Sequence, residues 1–127
     1  MPDQPTAIVA DDVMETRELL RHTLEKCGCN ILCTAEDGDD ALEKVHRYRP
    51  DILFVDIDMP KKTGLQVLRA LKNASKEIFV VMVSGHSTLE NVQTALEQGA
   101  DGFIVKPFTM QRVQQILAKY AQTQKGA

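Results

Sequence analysis

The sequence predicts an α/β protein of (βα)5 organisation, a doubly wound five-stranded parallel sheet with helices on both faces. Three observations carry that reading. Five short runs, 6–11, 30–35, 51–56, 78–84 and 101–106, are rich in Val and Ile and apolar on both faces, as strands buried between two helical layers are. Between the runs the apolar spacing lengthens to the period of a helix. Helix-start and helix-stop residues fall at the joints.

Taken in order, the strand Thr6–Asp11 leads into a helix over Val13–Cys27, with Gly28 placed to stop it. Asn30–Ala35 is the second strand, and Asp39–Tyr48 is a helix of looser pattern. Asp51–Asp56 is the third strand. Thr63 and Gln66 then form a capping box ahead of the stripe Leu65, Val67, Leu68 and Leu71. After the strand Ile78–Ser84, Ser87 and Glu90 form a second capping box. Val92, Ala95, Leu96 and Gly99 follow at i, i+3, i+4 and i+7, and Gly99 ends that helix. Asp101–Lys106 is the fifth strand. Thr109 can cap the last helix, Phe108 and Val113 can staple it, and Val113, Ile116, Leu117 and Tyr120 form its apolar stripe.

A chain of 127 residues is expected to be one domain, 1–127, with loose ends at 1–5 and 122–127. Hydrophobic residues make up 43% and charged residues 26%, which excludes disorder. With 15 Lys and Arg against 18 Asp and Glu, the net charge of −3 argues against direct nucleic-acid binding. The longest apolar run, 78–83, is far below the roughly 20 residues of a membrane span. Met1-Pro2-Asp3-Gln4-Pro5 has neither a basic nor an apolar stretch, so no signal peptide is expected and the expected address is cytoplasmic. Cys27, Cys29 and Cys33 are an odd set with no His nearby to complete a zinc site. They are expected to be reduced thiols, with Cys29 and Cys33 on one face of a strand.

In a parallel α/β sheet, function lies at the carboxyl ends of the strands. Here those ends carry Asp11-Asp12, then Asp56 followed by Ile57-Asp58-Met59-Pro60, then Ser84-Gly85, and last Lys106-Pro107. Clustered carboxylates repel one another, and a divalent cation relieves the repulsion. An oxygen-only site with room for water and phosphate suits Mg²⁺. On the middle strand, Asp56 is placed to attack phosphorus and form an aspartyl phosphate. Lys106 and Ser84 are placed to meet phosphoryl oxygens, and Gly85 leaves the approach open.

These motifs, in this order and spacing, resemble those of the response-regulator receiver domains of two-component systems, and the single-domain chemotaxis regulator among them. The likeness covers about residues 6–121. It rests on Asp11-Asp12, Ile52-Leu53-Phe54-Val55-Asp56, Met59-Pro60, Gly64, Val83-Ser84-Gly85, Gly99-Ala100-Asp101-Gly102-Phe103 and Lys106-Pro107-Phe108.

The resemblance implies strand order 2-1-3-4-5, the order of the chemotaxis protein that exemplifies this sheet type. It implies Asp56 as phosphorylation site, with Mg²⁺ held by Asp11, Asp12, Asp56 and the backbone carbonyl of Asp58. It implies Ser84 and Lys106 as phosphoryl contacts, Ser84 and Phe103 as the switch pair, Gly64 in a tight turn, and a cis bond before Pro107. Asp58 and His86 stand two residues after Asp56 and Ser84, where they would modulate the pocket rim.

The implied function is a phosphoacceptor signalling module, not a conventional enzyme, that takes phosphate from a histidine kinase or phosphotransfer protein. Such a module catalyses its own phosphorylation and slow dephosphorylation. The signal would leave through the face of the fourth helix, fifth strand and fifth helix, toward a downstream protein target. That face carries Phe103, Glu90, Glu97, Asp101, Arg112 and Lys119. No Lys or Arg lies between Ser87 and Gly99. Asp101 and Arg112 are then the remaining candidates for a cross-subunit pair, and a monomer or weak dimer is expected. About six residues remain after the last helix, so the chain either stands alone or is part of a longer one.

Three alternatives stand beside this reading. Asp56 and Asp58 resemble the D-x-D motif of haloacid-dehalogenase-type phosphatases, but that motif belongs on a first strand. A pseudo-receiver that only binds would have lost chemical positions that are all present here. A flavodoxin-like flavin carrier would need a Ser/Thr/Gly-rich loop after the first strand.

Overall fold

The structure, a computed structural model, describes residues 4–74, 77–85 and 89–125. Among them five strands and five helices alternate: β1 (Thr6–Ala10), α1 (Met14–Lys26), β2 (Asn30–Ala35), α2 (Gly38–Tyr48), β3 (Ile52–Asp56), α3 (Gly64–Ala74), β4 (Phe79–Ser84), α4 (Leu89–Glu97), β5 (Gly102–Val105) and α5 (Met110–Lys125). The strands form one parallel sheet in the order β2-β1-β3-β4-β5. The predicted fold class and strand order are both present. No helix among the described residues is long and apolar enough to cross a membrane.

The apolar runs become strands because both of their faces are covered. β3 and β4 are buried at every position. Alternate residues serve opposite layers, as the pleat dictates. Ile8, Leu53, Val55, Val80 and Met82 pack with Ala41, Val45, Val67, Leu68 and Ala95 of α2, α3 and α4. Ala7, Val9, Ile52, Phe54, Val81 and Ile104 pack with Leu20, Leu24, Val113 and Ile116 of α1 and α5. Tyr120 closes the second layer edge-on against Phe79, with ring centroids 5.3 Å apart.

The joints follow the expected chemistry with three departures. The Thr63–Gln66 box forms in both directions, at 2.9 and 3.2 Å, and Thr109 Oγ1 accepts from Arg112 N at 3.1 Å. Gly28 and Gly99 take the left-handed φ values of 91° and 102° behind α1 and α4. The box at Ser87 lies outside the described residues.

The first departure is α2, which starts at Gly38 because Asp37 caps it, accepting from Asp40 N at 2.8 Å. It ends at Tyr48, as expected, with Arg49 left-handed at φ 49° behind it and Pro50 next in the chain. The second is α5, which is helical to Lys125 rather than loose from 122, since no Gly or Pro lies between Pro107 and Gly126. Pro5 is also tied down, its carbonyl accepting from Asn30 N at 2.8 Å.

The third departure is a bulge in β2. Ala7 pairs with Ile31 but Ile8 pairs with Cys33, so Leu32 is the extra residue. The alternation therefore slips by one. Cys29 and Ile31 face the α1/α5 layer, while Leu32 and Cys33 face the other. Cys29 and Cys33 lie on opposite faces, not on the same one. All three cysteines are free thiols, and burial pushes the Cys29 thiol up to about 12, which leaves it inert.

Gly64 opens α3 against the end of β3, its N–H donating to Ile57 O at 2.8 Å. A Cβ there would lie 2.3 Å from the carbonyl oxygen of Asp56. Close approach, not a positive φ, demands glycine. Gly64→Ala is expected to lose about 1–3 kcal/mol in urea unfolding, the usual cost of overpacking. Gly85→Ala, with nothing within 4 Å of the added carbon, is expected to stay within about 0.5 kcal/mol of the parent.

Candidate functional site

Parallel pairing lines up the carboxyl ends of β1, β3, β4 and β5. Ala10 pairs with Val55, Asp56 with Val83, and Ser84 with Val105. The residues that follow therefore share one edge. Asp11 comes to lie beside Asp56, and Lys106 N donates to Ser84 O at 2.9 Å. Carboxylate oxygens of Asp11, Asp12 and Asp56 lie within 4.8 Å of one another. Lys106 reaches over from β5, and its Nζ is 2.8 Å from Asp11 Oδ2 and 3.4 Å from Asp56 Oδ1.

Burial divides the three acids. Asp11 and Asp56 are only 3% and 6% exposed, whereas Asp12 faces water. Asp11 Oδ1 also accepts from Val13 N at 2.9 Å. The Asp56 carboxyl is pushed up to about 6, first by burial and then by the charges of Asp11 and Asp58, with Lys106 opposing. The donors are all oxygens and the Asp12 side is open, which fits a hard divalent cation that keeps some of its water.

The remaining candidates take these positions. Ser84 is fully buried at the end of β4. Phe103 is 8% exposed, its ring already inside the core of the α2, α3 and α4 layer. The Asp58 side chain is exposed. The Lys106–Pro107 bond is cis. Gly64 abuts the backbone of Asp56, and His86 lies outside the described residues.

The two candidates for a cross-subunit pair both have partners within the chain. Asp101 does not wait on the surface for Arg112. Its carboxylate accepts from Lys72 Nζ at 2.8 Å and from Val80 N at 2.9 Å. Arg112 instead donates to Phe103 O at 2.7 Å.

Sequence reasoning also missed Arg17, a buried cation whose Nη1 donates to the carbonyl of Asp11 at 2.8 Å. Its signal was an arginine on the buried stripe of α1, at i, i+3 and i+7 with Leu20 and Leu24.

The family model described as the response regulator receiver domain matches residues 7–118. The chemotaxis protein CheY of Bacillus subtilis is 32% identical over 112 residues, covering 88% of this chain and 93% of that protein. A probable C4-dicarboxylate response regulator, DctR, of the same organism is 33% identical over 95 residues. That match takes in 75% of this chain but only 42% of the relative, so this chain spans less than half of DctR. Among solved structures, a chain of the CheX–CheY–BeF3–Mg²⁺ complex from Borrelia burgdorferi superposes with a TM-score of 0.85 at 32% identity, covering 92% of this chain and 87% of that one. With three acids and one lysine gathered at the strand ends of a 2-1-3-4-5 sheet, and with matches of this extent, the chain belongs to the response regulator receiver domain family and is a phosphoacceptor signalling module.

Proposed function

We propose that Asp56 is the residue that accepts the phosphoryl group. The observation that carries this is its place at the end of the central strand, nine-tenths buried, beside two further carboxylates and the Lys106 ammonium. An Asp56 oxygen attacks phosphorus as the donor's P–N or P–O bond breaks. The leaving atom takes the electron pair and then a proton from solvent. The donor is a histidine kinase or phosphotransfer protein, and small acyl or amido phosphates can replace it. Lys106 and Ser84 meet the phosphoryl oxygens.

Asp11, Asp12, Asp56 and the Asp58 main-chain carbonyl would hold Mg²⁺, which offsets the charge of carboxylates and phosphoryl oxygens together. The Mg²⁺ named in the Borrelia complex, one chain of which is similar to this one, supports this choice of ion. Asp58 and His86 act on the rim, steering the water that later hydrolyses the phosphoryl group.

Phosphorylation would shift the population between two arrangements of Ser84 and Phe103. The signal leaves through the face of α4, β5 and α5 to a downstream protein. We read the chain as a single cytoplasmic domain, 1–127, that is a monomer or weak dimer. Engagement of Asp101 by Lys72 within the chain supports the weak self-association.

The purified chain tests this reading. With acetyl phosphate and Mg²⁺ it takes up one covalent phosphate, and Asp56→Asn lowers uptake by more than about 100-fold. Undiminished uptake would mean another acceptor. In the same assay Asp58→Ala and His86→Ala are expected to label at the parent rate but to change phosphate loss several-fold.

The raised Asp56 carboxyl sets a pH dependence. The folded chain holds that proton more tightly than the unfolded chain, whose Asp titrates near ~3.9. The neutral group's benefit is therefore full below about pH 4 and is lost as pH rises through about 6. In metal-free buffer, Asp56→Asn is expected to be more stable than the parent by about 1–3 kcal/mol at pH 7.5 and equal to it near pH 4. Urea unfolding at the two pH values measures this.

Finally, sedimentation with beryllium fluoride and Mg²⁺ is expected to show mostly monomer. A tight activated dimer would contradict that reading.

A further inference from the structure

Among the described residues, four polar or charged side chains are buried: Asp11, Asp56, Ser84 and Arg17. Three of them stand at the strand-end site. The fourth is an arginine, 8% exposed on α1, with its Nε unpaired and buried. Burying a full charge is costly without a specific use for its donors. Its one short contact, 2.8 Å from Nη1, is to the main-chain oxygen of Asp11. That oxygen belongs to the peptide group that joins Asp11 to Asp12.

We infer that Arg17 is a positioning residue that locks the Asp11–Asp12 peptide, and so fixes where the two acids of the candidate Mg²⁺ site point. The inference rests on the reading of that site given above. Val13 N donates to Asp11 Oδ1 at 2.9 Å and closes the turn from within, and the local geometry shows what a second grip on the peptide oxygen adds. β1 ends at Ala10, and Asp11 N still pairs with Ala35 O at 3.0 Å. α1 begins at Met14 behind Val13, which offers no side-chain cap. Between these two anchors the chain turns within three residues. Rotation of the Asp11–Asp12 peptide would swing Asp12 relative to Asp11.

Arg17 closes this turn from the other side. Its backbone N–H donates to Val13 O at 3.0 Å while its guanidinium holds Asp11 O. Its Nη2 lies 3.9 Å from Glu36 Oε1 in the loop after β2, an ion pair too long for a hydrogen bond. The side chain touches neither Asp56 nor Lys106 in these contacts. Its effect is exerted through the peptide.

The test is Mg²⁺ titration of the full chain by calorimetry, with labelling by acetyl phosphate at low and at saturating Mg²⁺. Arg17→Met is expected to weaken Mg²⁺ at least fivefold and to slow labelling at low Mg²⁺, with most of the rate recovered at saturation. Arg17→Lys keeps a donor but not the fork, and is expected to weaken Mg²⁺ two- to fivefold. Leu24→Ala, which removes a core contact of the same helix, is the control. It is expected to lower stability and leave Mg²⁺ affinity within twofold.

Arg17→Met and Arg17→Lys both within twofold of the parent would overturn the inference and leave the site reading intact. If Arg17→Met does not fold, the Arg17→Lys value decides on the same threshold. A parent chain that neither binds Mg²⁺ nor labels would remove the site reading and this inference with it.

Discussion

The Lys106 ammonium lies 2.8 Å from one buried carboxylate and 3.4 Å from another, with a third acid at the rim. One positive charge answers two buried negative ones and a third that faces water. Buried ions without full compensation are expensive, and the parallel sheet is what imposes the arrangement. It brings β1, β3 and β5 to a common edge, with Asp56 on the strand at the centre. The surplus negative charge is the property from which the rest follows. Together with burial, which is the larger cause, it holds the Asp56 carboxyl up at about 6, and it leaves the edge receptive to a divalent cation and, with that cation, to a phosphoryl group.

The opposite edge of the same sheet uses the same residue type to other ends. Asp51 accepts from Thr6 N at 2.9 Å and bolts β1 to the start of β3. Asp101 accepts from Val80 N and from Lys72, and ties β4 to α3 and to the start of β5. Their charge is spent on backbone donors and a lysine. At the carboxyl edge, Asp11 has one backbone donor, Val13 N, and shares Lys106 with Asp56. Two acids thus tie strands and helices together, while three others cluster at the carboxyl edge. The difference lies in which partners the neighbouring strands and helices present.

The loops around the edge are held by contacts between distant segments. Lys62, after β3, pairs with Asp39 of α2 at 2.7 Å, and Lys61 lies 3.7 Å from Asp37, the cap of that helix. Arg17 reaches back from α1 to the Asp11 carbonyl. These ties give the acid-bearing turns their shape without crossing the open side at Asp12. The exposed pairs among them are each worth only about 0–1 kcal/mol, so the shape depends on the buried contacts first.

By itself the sequence determined the alternation of strands and helices, the two-layer core and the acids, hydroxyl and ammonium at the strand ends. Each of these is written in spacings of two to four residues and in capping residues such as Thr63 and Gln66, which act on near neighbours. The bulge at Leu32 was not legible, because no Gly or Pro marks it. Nor was the engagement of Asp101 by Lys72, or the grip of Arg17 on Asp11. Only the tertiary structure decided these, and with them the approach of Lys106 to Asp11 across 95 residues of chain. Local pattern says which face of an element is apolar. Which partner a charged side chain meets depends on elements that packing alone brings together.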